Sequence, residues 1–230
     1  MPTTRAMRTR SASWARSAAP SSLRYSPPTT SQTAAMSSTA LTTWRSIGIA
    51  RLAELESVHV QATGSSRGRR WGTVQLNRSL ALILVAQFQT YCRNLHDEAV
   101  AVHVAAATAG QQAMLRTLLT QGRKLDSQNP RRAALGSDFG RLGLAFVVEL
   151  KASRPAVAPE LDHLEELIDF RNAIGHGDES AIADIELRGA VRSTKASYVR
   201  SRRSLDRLVG TMDEVVAVRL GALLGVPNPW

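Results

Sequence analysis

The stretch at residues 170–178, FRNAIGHGD, sets Arg171 and Asn172 at the end of an apolar helical run and places His176, one of only five histidines, between two glycines. A guanidinium and an imidazole held side by side suit a phosphodiester. The Arg neutralises charge on the phosphoryl oxygens, and the His, with an ordinary pKa near 6.5, takes or gives a proton at neutral pH. RNA carries its own nucleophile, the 2′-hydroxyl, so such a pair can cleave it without a metal, whereas DNA lacks that group. A helix running on past Ile174 would leave His176 about 140° around the axis from Arg171. The glycines offer an escape. With Gly175 free to leave helical geometry, the imidazole is expected to swing back beside the last turn, and the bare backbone at Gly175 and Gly177 lets a bulky ligand approach. The competing reading is a plain helix C-cap, where Arg, His and Gly are all common.

A second polar concentration, CRNLHDE at 92–98, interrupts an apolar helix. Gln89, Arg93, His96 and Asp97 lie within about two turns, with Arg93 and Asp97 spaced for an ion pair on one face. They read either as support for the Arg171 and His176 site, with His96 or Asp97 touching RNA or orienting His176, or as a solvated stripe. Near the start of the last helix, Arg192, Lys195, Arg200, Arg202, Arg203 and Arg207 form a basic segment. Arg202 and Arg203 are candidates to hold an RNA backbone through salt-dependent contacts, against the alternative of a solvated face. Arg67, Arg69 and Arg70 could act in the same way, with Trp71 stacking on a base if exposed or stapling a helix start if buried.

Cys92 with His96, and Asp162 with Glu166 around His163, have metal-ligand spacing, but neither pair has a convincing third ligand, so no metal and no cofactor is expected. Cys92 is the only cysteine. It reads as a small buried thiol, and no intramolecular disulfide is available.

The elements that must position these groups are helical. Trp44, Ile47, Leu52, Leu55 and Val58 roughly follow helical spacing from residue 43, and GSSRGRRWG at 64–72 breaks the chain. A long amphipathic helix is expected over 73–107, with Leu80, Leu84, Phe88, Cys92, Leu95, Ala99 and Val102 inward. A third covers about 111–125, facing inward through Met114, Leu115, Leu118 and Leu119. The segment 127–143 reads as a loop with a short helix, followed by an apolar run at 144–150. Pro159 opens the next helix, which runs to about Ile174 and is stopped by Gly175 and Gly177. Leu161, Leu164, Leu167, Ile168 and Phe170 form its inner face. Residues 182–187 carry the one strand-like alternation. A last helix spans about 190–224 and buries Leu205, Leu208, Met212, Val215 and Leu223. The fold class is therefore all-α, a bundle of four to five helices with short additional helices.

The formal net charge is +10, but no Asp or Glu precedes Glu54 while seven Arg do, leaving +3 for the rest of the chain. The body is only mildly basic, which on its own is weak support for nucleic acid as a partner. Lys124, Lys151 and Lys195 are the only lysines, so the cations are mostly guanidinium groups, suited to gripping phosphate in two-bond fashion. Residues 1–42, rich in Ser, Thr, Ala, Arg and Pro, read as a disordered or processed tail, or as an over-extended start with Met36 the initiator, ahead of a helical domain at 43–230. No apolar run is long enough for a membrane span, and the expected location is cytoplasmic.

RNAIGH at 171–176, an Arg followed by Asn and separated by four residues from a His at a helix end in an all-α chain, resembles the signature of the HEPN superfamily (higher eukaryotes and prokaryotes nucleotide-binding domain). The segment LNRSLALILVAQFQTYCRNLHDEAV at 76–100 also looks like the long first-hairpin helix of bacterial HEPN-like proteins. The resemblance covers about 43–224. It implies a metal-independent endoribonuclease acting on RNA, a toxin or phage-defence effector restrained by a cognate antitoxin protein. It assigns Arg171 to phosphate and transition-state stabilisation, His176 to acid-base or polarising work, and Asn172 to orienting one of them or the phosphate. It also implies a homodimer in which two such helix ends form one cleft. Some HEPN-like domains are scaffolds or nucleotide binders, so a non-catalytic all-α interaction or nucleotide-binding module stays open.

Overall fold

A computed structural model describes residues 37–63, 73–225, 227, 229 and 230 of the chain. The first helix, α1 (Thr39–Thr43), starts earlier than its apolar spacing suggests, because every orphan N–H of its first turn finds an acceptor. Ser38 N donates to Asp213, Thr39 N and Ala40 N donate to Glu98 at 2.8 and 2.6 Å, and Leu41 N donates to Ser38 Oγ at 2.9 Å. Residues Trp44–Gly48 wind as a π-helical turn and pass directly into α2 (Ile49–Thr63). The wider turn breaks the 3.6-residue register, which is why Trp44 and Leu52 are buried while Ile47 and Val58, expected inward, are each half exposed.

The expected long helix is α3 (Val74–Ala106), which buries Leu80, Leu84, Phe88, Cys92, Leu95 and Ala99. Trp44 meets Phe88 and Tyr91 edge-on at 6.4 and 6.0 Å, and Tyr91 Oη donates to the Val209 carbonyl at 2.8 Å. Then follow α4 (Ala109–Thr120), α5 (Lys124–Ser127), α6 (Arg132–Gly140) and α7 (Phe146–Ser153). The single helix expected over 111–125 is thus two, and only Leu119 of its four apolar residues is buried; Met114 and Leu118 face outward.

The chain continues through α8 (Val157–His176), α9 (Glu179–Arg188) and α10 (Lys195–Leu224). The alternation at 182–187 belongs to α9, with Ile182 and Ile185 one turn apart on its buried side. Leu205, Leu208, Met212 and Val215 are buried as expected, whereas Leu223 near the end of α10 is exposed.

Among the described residues every regular element is helical and none is a strand, so the chain is all-α. The core lies where α3 packs against α1, α8 and α10. No helix among the described residues is long and apolar enough to cross a membrane. Residues 1–36, most of the expected tail, and the loop carrying Arg67, Arg69, Arg70 and Trp71 lie outside the described residues.

Candidate active site

The last turns of α8 differ from the expected geometry. Gly175 stays helical and His176 is the last helical residue; only Gly177, at φ 67°, turns left-handed. Gly177 N bonds the Ile174 carbonyl at 3.1 Å and Asp178 N bonds the Ala173 carbonyl at 2.9 Å, which closes the helix in a Schellman motif. Asp178 at once caps α9, accepting from Ala181 N at 2.9 Å. Burial of Phe170 and Ala173 sustains the helix through Gly175, outweighing the roughly 1 kcal/mol that an interior Gly costs. The imidazole therefore does not swing back by leaving the helix.

Arg171 and His176 nonetheless meet one space. Both line a surface groove of about 460 Å³, whose other wall is Leu82, Ile83 and Ala86 of α3 and whose floor includes Gly175. A Cβ at Gly175 would stand 3.9 Å from Arg171 Nη1, so the missing side chain leaves the guanidinium uncovered. Arg171 is half-buried and His176 exposed.

The sequence keeps this cation free of carboxylates. The residues one turn from Arg171 on α8 are Leu167, Ile168, Ile174 and Gly175. Most acids of α8 are occupied elsewhere: Glu165 pairs with Arg131 at 2.9 Å, Asp162 with Arg132 at 2.6 Å, Asp169 with Arg131, and Glu160 with Arg154 and Arg207. Glu179, the acid nearest His176 in sequence beyond Asp178, is drawn to Arg78, which grips it through two bonds of 2.6 and 2.8 Å. Among the described residues Arg171 bonds only Asn172 Oδ1, donating from Nη1 at 3.3 Å. That same oxygen accepts from Asn129 Nδ2 at 2.8 Å.

Asn129 belongs to the turn between α5 and α6, and the polar residues of α3 hold that turn in place. Gln89 Nε2 donates to the carbonyls of Leu125 and Gln128 at 3.0 and 2.9 Å, while Arg93 donates to those of Leu125 and Asp126 at 2.7 and 3.0 Å. From the other side buried Asp138 accepts from Lys124 N and Leu125 N at 3.0 and 2.8 Å. The turn forms the wall of a second groove, about 490 Å³, which Arg171 also lines. Arg93 thus acts on the surroundings of Arg171 through the turn.

The expected Arg93 and Asp97 ion pair is not made. Asp97 is taken by Arg123 at 2.6 Å, and Arg123 reaches on to Asp126 at 2.8 Å and His96 Nδ1 at 3.3 Å. His96 is fully buried, its Nε2 3.1 Å from the Asp138 carbonyl and its ring edge-on to Phe139 at 5.4 Å. Burial and the neighbouring Arg123 hold its pKa below the ordinary value. His96 is a core residue with no exposed surface, and its ring partners are Asp138, Arg123 and Phe139. Arg202 is committed to Glu56 at 2.6 Å and ties α10 to α2; Arg203 is exposed. Cys92 is fully buried, and burial pushes its thiol pKa well up, which removes thiolate character.

The chain matches no protein-family model, no curated protein and no solved structure. The geometry stands alone: an unpaired guanidinium held by an amide, and an exposed imidazole on the same groove. Such a pair can bind an anion and pass a proton beside it. Sequence reasoning missed Asn129 and the α3 wall. Leu82, Ile83 and Ala86 lie between the core positions Leu80, Leu84 and Phe88, and this second apolar stripe on α3 was the available signal for the wall. Nothing in the spacing pointed from Asn129 to Asn172, 43 residues on.

Proposed function

We propose that the chain is a metal-independent endoribonuclease of the HEPN type, cleaving RNA with Arg171, Asn172 and His176. The observation that carries the reading is that Arg171, free of carboxylate partners, and exposed His176 line one open groove. In the reaction the 2′-hydroxyl of one nucleotide attacks the adjoining phosphorus as its proton is removed, the P–O5′ bond breaks, and the leaving 5′-oxygen takes up a proton. Arg171 neutralises the phosphoryl oxygens, His176 supplies one of the proton transfers, and Asn172 holds the guanidinium. A second copy of the chain would bring another helix end and so another proton carrier to the cleft, which is the role of the homodimer in this reading. A cytoplasmic toxin or phage-defence effector restrained by a cognate antitoxin is the setting that fits the resemblance of RNAIGH.

The chemistry is tested on its products. Cleavage in chelator should leave 2′,3′-cyclic phosphate and 5′-hydroxyl ends, and a single 2′-deoxy substitution at the cut should block it. A requirement for divalent ions, or cleavage of the 2′-deoxy strand, would contradict the mechanism.

One observation favours a non-catalytic reading. His176 completes α8 in the helical register, where a cation favours the C-terminal dipole without any chemistry. In that case the groove would bind a nucleotide phosphate or a partner, and binding would survive with no cleavage.

A further inference from the structure

The two grooves meet at Arg171, and their walls differ in kind. On the His176 side the wall is Leu82, Ile83 and Ala86, which can take the flat face of a base but cannot tell one base from another. On the other side it is Gln89, Asp126 and Ser127 at the end of α5, and the turn residues Gln128 and Asn129. Most polar groups of that wall are already engaged. Gln89 holds backbone carbonyls, Asp126 is taken by Arg123, and the Asn129 amide donates to Asn172. The Gln128 amide and the Ser127 hydroxyl are exposed and make no hydrogen bond among the described residues. The Gln128 carbonyl is nevertheless held by Gln89, and the preceding Leu125 and Asp126 are held by Asp138 and Arg93. The anchor of this free amide is fixed, so the amide is presented at one place on the groove wall. It offers one donor and one acceptor side by side, the pattern that pairs with the edge of an unstacked base in single-stranded RNA.

We infer that this turn reads the nucleobase on one side of the phosphate held by Arg171, and that Gln128 is the residue setting which base is preferred. The inference rests on the reading of Arg171 as a phosphate contact. Selectivity is one-sided: the strand is read on the turn side and only stacked on the His176 side.

The test uses 2′-O-methyl tetranucleotides of A, C and U, which lack the attacking hydroxyl, so that binding is measured apart from cleavage. Fluorescence anisotropy with the full-length chain should show affinities spread by at least about fivefold among the three. Gln128→Ala should compress the spread to within about twofold, since both edge bonds are lost. Gln128→Glu keeps an acceptor but loses the donor, and should change the order of preference, which a merely structural role would not do. Equal binding of all three by the wild type, no binding at all, or an unchanged spread in Gln128→Ala would overturn the inference. Selective binding together with failure to cleave the corresponding ribo-oligonucleotides would support the base-reading turn and count against the ribonuclease reading.

Discussion

Asn129 Nδ2 donates to Asn172 Oδ1 across 2.8 Å, joining the α5–α6 turn to the last turns of α8 through the oxygen that also holds Arg171. One acceptor thereby fixes a guanidinium and a groove wall together. An Arg left to explore its rotamers would lose this alignment, and misplacement by about 1 Å can cost on the order of a hundredfold in rate.

Asn172→Ala should therefore lower the cleavage rate by roughly 10- to 100-fold while leaving the helical content unchanged. Asn172→Asp keeps the acceptor but sets a carboxylate against the Arg171 guanidinium, so it should not recover the loss. Single-turnover rates with circular dichroism check both; equal rates in Asn172→Ala and wild type would remove Asn172 from the site.

Gly177 is the residue that ends α8, with φ 67° and the two closing bonds around it. A Cβ there meets no neighbouring atom, so the cost of Gly177→Ala is backbone strain alone. About 1–2 kcal/mol of stability should be lost, less for Gly177→Asn, because Asn tolerates the left-handed region better. Urea denaturation measures the difference, and an Ala variant as stable as wild type would contradict the assigned termination.

The expected helix frame was legible wherever one face of a helix is buried. The period through Leu80, Leu84, Phe88, Cys92 and Leu95 marked α3, and Leu161, Leu164, Leu167 and Ile168 marked α8, because burial against a core imposes helical spacing. The choice between Gly175 and Gly177 as terminator was not legible. Both lack a Cβ, and the decision comes from the Asp178 to Ala173 closure and from Asp178 doubling as the α9 cap. Arg93 and Asp97 had the spacing of an ion pair, yet Arg123, 26 residues beyond Asp97, competes for the carboxylate, and local spacing carries no information about such a rival. The register slip at Trp44–Gly48 hid the outward turn of Ile47 and Val58 for the same reason: a π turn leaves no mark in the apolar pattern.

Acid should destabilise the fold through histidines that are wholly or partly buried. His96 is held below its ordinary pKa by burial and Arg123, His163 by burial and by Arg200 and Arg207, and His103 by burial. With a folded pKa below the unfolded value near 6.5, each binds a proton more readily when unfolded, so its penalty is absent above about pH 6.5 and grows as pH falls toward the folded pKa. Glu98 and Asp213, raised chiefly by burial, act in the opposite sense, gaining stability as pH falls through the carboxylate range. His163→Gln keeps a hydrogen-bonding group for Ser201 Oγ, 2.9 Å from His163 Nε2, and removes one titrating ring. Its Tm should fall less than that of wild type between about pH 7 and about pH 5.5. An equal fall in both would show that His163 does not contribute.

The most direct measurement is RNA cleavage in chelator by wild type beside Arg171→Ala and His176→Ala, with the melting of all three compared. Arg171 bonds only Asn172 among the described residues and His176 is exposed, so neither substitution should disturb the fold. The account predicts cleavage by wild type and a loss of at least about a hundredfold in each variant at unchanged Tm. Intact RNA with wild type, or variants that cleave as fast as wild type, would contradict it.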